Sequence, residues 1–171
     1  MTSTTRPTTW LVTGASRGIG FELVRQLAAS PQNLVVAACR NPDKATALKA
    51  LKDSAKGTLH IIQLDVSDFD SIRASVKQAQ PILGEIGLDY LVNNAGIALR
   101  DTAFSLDPED LLRILRTNAA GPAVVSQVYL PFVEKGHTSG KTPRGKSDKI
   151  QQNLWDSSGF GGFGMTTCRI S

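Results

Sequence analysis

The sequence predicts an α/β protein built on a doubly wound parallel sheet. Three observations carry that expectation. Short apolar runs alternate with amphipathic segments, a glycine-rich stretch joins the first run to the first amphipathic segment, and no solenoid-type repeat interrupts the pattern. Strands separated each time by a helix are the signature of a parallel sheet with right-handed crossovers.

The elements follow in order. TTWLVTGAS stops at glycine and predicts the first strand, and GFELVRQLAAS then spaces Phe21, Leu23, Val24, Leu27 and Ala28 as a helix does. NLVVAACR is a continuous apolar run suited to a strand buried on both faces. Asn41-Pro42 after it supplies a cap and a first-turn proline, which predicts a second helix from about Asp43 to Ser54. HIIQLDV predicts the third strand, with His60 solvated just before it; Ser67 or Asp68 caps a third helix to about Gln80, and LDYLVNNAG is the fourth strand. A longer helix starts at Asp107-Pro108-Glu109-Asp110 and is expected to reach Val133 with one interruption at Gly121-Pro122.

At 171 residues the chain suits one core. With 41% hydrophobic and 20% charged residues it lies in the globular range, which excludes collagen, coiled coil and wholesale disorder. The longest apolar stretch, Leu34 to Cys39, falls far short of the ~18 residues of a membrane span. No secretory signal is evident, and two cysteines, Cys39 and Cys168, make no disulfide framework, so a reducing, cytoplasmic setting is expected. Cys39 reads as a small buried hydrophobe, and there is no metal-ligand cluster.

The net charge of +4 is unevenly placed. Residues 1–134 hold 13 Lys/Arg against 13 Asp/Glu, whereas residues 135–171 hold 6 against 2 along with 7 of the 15 glycines. A neutral folded body, 1–134, is therefore expected to be followed by a basic, glycine-rich tail, 135–171. Apart from Trp155, Phe160 and Phe163 the tail lacks the interleaved aromatics of a nucleic-acid surface, so nucleic acid and membrane are not expected partners.

The strongest local feature is TGASRGIG between the first strand and first helix. Gly14 permits the tight turn, Gly18 lets the backbone approach a pyrophosphate, and Gly20 allows close helix-to-strand packing, with the helix N-terminus facing the phosphates. Its spacing lacks the Lys-Ser/Thr of a P-loop, which disfavours triphosphate hydrolysis. A dinucleotide's ribose is read at the end of the second strand, and here that end carries Arg40 where an acid would select NAD. Arg40, with Arg17 in the loop, suits the 2′-phosphate of NADP(H); the competing interpretation is two solvated arginines.

TGASRGIG followed by Asn93-Asn94-Ala95-Gly96 resembles the short-chain dehydrogenase/reductase family, over about residues 8 to 134. The resemblance implies a Rossmann-type sheet of order 3-2-1-4 and an NADP(H)-dependent interconversion of a small carbonyl or alcohol, of the carbonyl reductase or ketoreductase type. It implies cofactor contacts from Gly14, Ser16, Arg17, Gly18, Ile19, Gly20, Arg40, Asp65, Val66, Asn93, Ala95 and Gly96. Asn118 matches the family's catalytic asparagine, whose main-chain carbonyl holds a relay water, and Pro122 removes the N–H that would otherwise pair with it. Ser158 is the best match for the serine that orients a substrate carbonyl; a polar flexible tail is the alternative. The family's acid, the tyrosine of YxxxK, has no match, because Tyr90 is followed four positions on by Asn94 and Tyr129 by Val133. The chain thus looks like a family member cut short before that motif, with a doubtful fifth strand near residues 149–159. Two expectations follow: a cofactor- or partner-binding remnant without turnover is the alternative function, and an open edge on strand four invites self-association.

Overall fold

The computed structural model describes residues 6–99, 105, 107–136 and 150–152. Its elements are β1 (Thr8–Thr13), α1 (Gly18–Ala28), β2 (Asn33–Cys39), α2 (Thr46–Ser54), β3 (Thr58–Gln63), α3 (Phe69–Leu83), β4 (Tyr90–Asn93), α4 (Pro108–Leu115), a π-helical segment (Arg116–Ala120), α5 (Gly121–Lys135) and β5 (Ile150–Gln152). The sheet is parallel, with order β3-β2-β1-β4-β5. Chain order reverses across β1, which lies between β2 and β4, and ligands bind such sheets in the crevice opened there at the carboxyl ends of the strands.

β2 explains why the sheet is covered on both sides. Leu34, Val36 and Ala38 face one apolar layer with Tyr129, Phe132 and Leu83, while Val35, Ala37 and Cys39 face the other with Val24 and Leu48. Successive side chains of a strand point to opposite faces, so a run apolar at every position needs helices on each. Cys39 is a buried free thiol, as expected, and burial pushes its pKa up. Among the described residues, no helix is long and apolar enough to cross a membrane.

Four sequence expectations are corrected. Asn41-Pro42 opens a single 3₁₀ turn, Pro42–Lys44, and the second helix begins only at Thr46. His60 lies within β3, half-buried; burial, then the nearby Lys52 charge, lowers its pKa. The long helix is broken one turn earlier than Gly121-Pro122, because the chain is already π-helical from Arg116. Finally, the edge of β4 is not open over Leu91–Asn93: β5 pairs there, Leu91 with Ile150 through Asn93 with Gln152. The doubtful fifth strand is present as three residues, and the edge proposed for self-association is occupied by main-chain pairing. His137, Cys168 and Ser158 lie outside the described residues.

Tyr129 anchors the α3–α5 layer. It is fully buried, its hydroxyl 2.8 Å from the Ser75 hydroxyl, and burial pushes its pKa up to about 12 despite that hydrogen bond. The folded value lies above the unfolded ~10, so the neutral ring's stabilisation is complete below about pH 10 and is lost as pH rises through about 12. Tyr129→Phe is expected to cost about 1 kcal/mol at neutral pH by removing the hydroxyl's partner. It should also abolish an alkaline loss on the order of 2 kcal/mol. Urea midpoints of parent and variant at about pH 7 and about pH 11 check both.

Candidate functional site

The glycine-rich loop and the Asn93–Gly96 segment meet across the β1–β4 seam, and one hydroxyl joins them. Thr13, the last residue of β1 and fully buried, accepts at Oγ1 from the N–H groups of Asn94 (3.0 Å) and Ala95 (3.1 Å) and donates toward the Val92 carbonyl (3.4 Å). The Asn94 amide answers by donating to the carbonyls of Thr13 (2.9 Å) and Gly14 (3.4 Å). Gly14 has φ +67°, a conformation L-residues avoid, and a Cβ there would sit 2.8 Å from Ala95 Cα. A Cβ on Gly20 would collide with Asn94 Nδ2 and the Gly14 carbonyl. Thr13 and Asn94 entered the sequence reading only as members of their motifs, with no role of their own; a threonine ending a strand before the glycine turn was the available signal.

The middle glycine behaves differently. Gly18 has φ +58° with nothing within 4 Å of its Cβ position, so the loop backbone faces open space. Arg17 caps α1 without a side-chain hydrogen bond, which leaves the first N–H groups of that helix uncapped by their own side chain. Ser16, Arg17, Gly18 and Ile19 are all exposed around this opening. Ala15 N–H donates to the Ala38 carbonyl (3.1 Å), tying the loop to β2 as well. A pyrophosphate fits an open backbone face backed by a helix N-terminus.

A cleft of about 440 Å³ lies at the ends of β2 and β3, lined by Arg40, Asn41, Gln63, Asp65, Asp68 and Ser71 among others. Its two carboxylates are engaged locally. Asp65 Oδ1 accepts from the N–H and hydroxyl of Ser67 (2.9 and 2.7 Å), and Asp68 Oδ1 caps α3 through the N–H groups of Asp70 and Ser71. Arg40 is exposed and makes no ion pair among the described residues. Val66, next to Asp65, is buried in the α3–α5 layer.

Asn118 lies in the π segment. Its side chain grips the Ile97 backbone from both directions, Nδ2 donating to the Ile97 carbonyl (2.7 Å) and Oδ1 accepting from its N–H (2.9 Å). The segment after Gly96 is thereby held to the long helix. Asn93 is buried, with Nδ2 donating to the Ser126 hydroxyl (3.1 Å) and Oδ1 without a hydrogen-bond partner among the described residues. Neither tyrosine can serve as a site acid. Tyr129 is locked to Ser75 in the core, and Tyr90 starts β4 at the opposite end of the strand from Asn93, stacked on Trp10 at 4.0 Å.

This geometry can be set beside known proteins. A family model described as short chain dehydrogenase matches residues 8–141. The chain belongs to the short chain dehydrogenase family. The short chain dehydrogenase virK of Hypocrea virens is 33% identical over 140 residues, which are 75% of this chain and 51% of that protein. A farnesol dehydrogenase of Aedes aegypti is 37% identical, covering 76% of this chain and 53% of the relative. Among solved structures, an NADPH-bound carbonyl reductase from chicken fatty liver superposes with a TM-score of 0.71 at 36% identity, covering 76% of this chain and 49% of that one. The chain spans about half the length of the curated relatives it matches. In this dehydrogenase fold, the glycine-loop and Asn93–Gly96 segments flank the crevice at the reversal of strand order.

Because Thr13 Oγ1 serves two part-buried N–H groups, Thr13→Val is expected to cost about 2 kcal/mol, more than one ordinary hydrogen bond. Amide exchange at Asn94 and Ala95 should accelerate beyond the rest of β4. Thermal unfolding and exchange together check this.

Proposed function

We propose that the chain binds NADP(H) across the β1 crevice and that the whole protein interconverts a small-molecule carbonyl and its alcohol. The nicotinamide would supply or accept the hydride. In this proposal the main-chain N–H groups from Gly14 to Gly20, with Ser16 and Arg17, hold the pyrophosphate, and Ile19 meets the nicotinamide end. Arg40 takes the 2′-phosphate, Asp65 and Val66 border the adenine, and Asn93, Ala95 and Gly96 line the nicotinamide ribose. Asn118 contributes its carbonyl to a proton relay, and Ser158 orients the substrate carbonyl. The folded body, 1–134, would carry cofactor binding.

The observation that carries the NADP(H) choice is Arg40. It stands in a cleft where both carboxylates are engaged with their own turn, and it has no ion-pair partner among the described residues. A guanidinium so placed favours a dianionic phosphate over a ribose hydroxyl. NADPH bound to the similar chicken carbonyl reductase supports the same choice.

A second interpretation, cofactor or partner binding without turnover, is favoured by one observation. Neither tyrosine of the chain has lysine four positions on, and the buried Tyr129 keeps its proton to about pH 12. Fluorescence titration with NADPH followed by consumption assays on a panel of ketones separates the two. Binding with turnover supports the first, and binding without turnover by both this chain and the whole protein supports the second.

Arg40→Asp is expected to weaken NADPH about 10- to 100-fold, the weight of a charge-assisted hydrogen bond, while changing NADH far less. Equal affinity of the parent chain for the two cofactors would contradict the assignment.

A further inference from the structure

Arg116 is exposed and opens the π segment, yet its side chain turns back onto the segment after β3. Its Nε donates to the Ser67 carbonyl at 2.6 Å, and its guanidinium carbon lies 4.6 Å from the centroid of the Phe69 ring. Ser67 is therefore held from two sides, through its carbonyl by Arg116 and through its N–H and hydroxyl by Asp65 Oδ1. Asp65 is fixed in turn by donating its N–H to the Ser71 hydroxyl at 3.0 Å. Asp65, Asp68 and Ser71 all line the Arg40 cleft.

The π turn makes this contact possible. Gly121 N–H donates to the Arg116 carbonyl, the five-residue step of a π-helix, which stacks these two residues on one side. A regular helix would set them about 140° apart. Gly121 also abuts the Val66 carbonyl so closely that a Cβ would collide with it. Residues on either side of the π turn thus grip the same Val66–Ser67 backbone, and Asn118 between them grips Ile97.

The geometry points to Arg116 as a positioning residue that fixes the Asp65–Asp68 turn, the adenine-end wall of the cleft, against the π turn carrying Asn118. It rests on the cofactor assignment proposed above. The probe is 2′,5′-ADP, which carries the adenine and 2′-phosphate but no nicotinamide, titrated calorimetrically into the full chain and its Arg116→Ala and Arg116→Lys variants. Arg116→Ala is expected to weaken the probe about tenfold, comparable to losing one charge-assisted hydrogen bond. In the absence of ligand it should accelerate amide exchange at Ser67 with little change in the thermal midpoint. Arg116→Lys, which keeps a cationic donor for the Ser67 carbonyl, should recover most of both. Unchanged affinity and exchange in Arg116→Ala would overturn the assignment, as would a uniform loss of protection across the sheet. If the parent chain does not bind 2′,5′-ADP, the cofactor assignment and this one fall together. If the parent binds and Arg116→Ala binds equally well, only the role of Arg116 falls.

Discussion

The fold's functional end hangs on the hydroxyl of Thr13. Among the described strands β1 borders both halves of the strand order, and its last side chain is where the glycine-rich loop and the Asn93–Gly96 segment are brought into register. One oxygen accepts two main-chain N–H groups from the β4 loop, and the Asn94 amide returns the contact to β1. The flanking glycines matter because they let these groups approach: side chains at Gly14 or Gly20 would occupy the space of Ala95 and Asn94. In this partly buried seam each of these groups would otherwise lose its protein partner, at a cost of about 1 kcal/mol apiece. The loops are thus fixed relative to each other before any ligand arrives, which is what preorganised binding requires.

A second joint links this seam to the opposite layer. The long helix carries a proline, Pro122, that cannot donate to the Asn118 carbonyl, and it relaxes into a π segment just before that point. Such a segment redirects side chains that a regular helix would send elsewhere. Asn118 reaches Ile97 beyond the Asn93–Gly96 loop, and Arg116 reaches Ser67 beyond β3. Loops that border opposite ends of the crevice are therefore tied to a single five-residue stretch of helix.

Much of this was legible in the residues. The doubly apolar run Leu34–Cys39 announced a central strand covered on both faces, and Asp68 and Asp107 announced their helices as caps that do accept N–H groups. Gly14 and Gly20 were assigned a tight turn and a close packing contact that the backbone angle and close approaches match. What escaped was long-range. Asn41-Pro42 carried a sound local helix signal, but the chain spends it on one 3₁₀ turn before Ala45 packs into the α1–α2 layer. Ile150–Gln152 is too polar to declare itself a strand, and only its pairing with Leu91–Asn93 makes it one. Thr13, Asn94 and Arg116 act through partners 49 to 82 positions away, and no local pattern encodes such distances.

The central claim is that the two seam-linked loops, the Arg40 cleft and the π segment form one dinucleotide surface. Backbone NMR shifts followed through an NADPH titration test it most directly. Saturable changes are predicted at Gly14 to Gly20, Arg40, Asp65, Val66 and Asn93 to Ile97, with the α2 surface and the lower ends of the strands unmoved. Absence of saturable change, or changes confined to one loop, would contradict it.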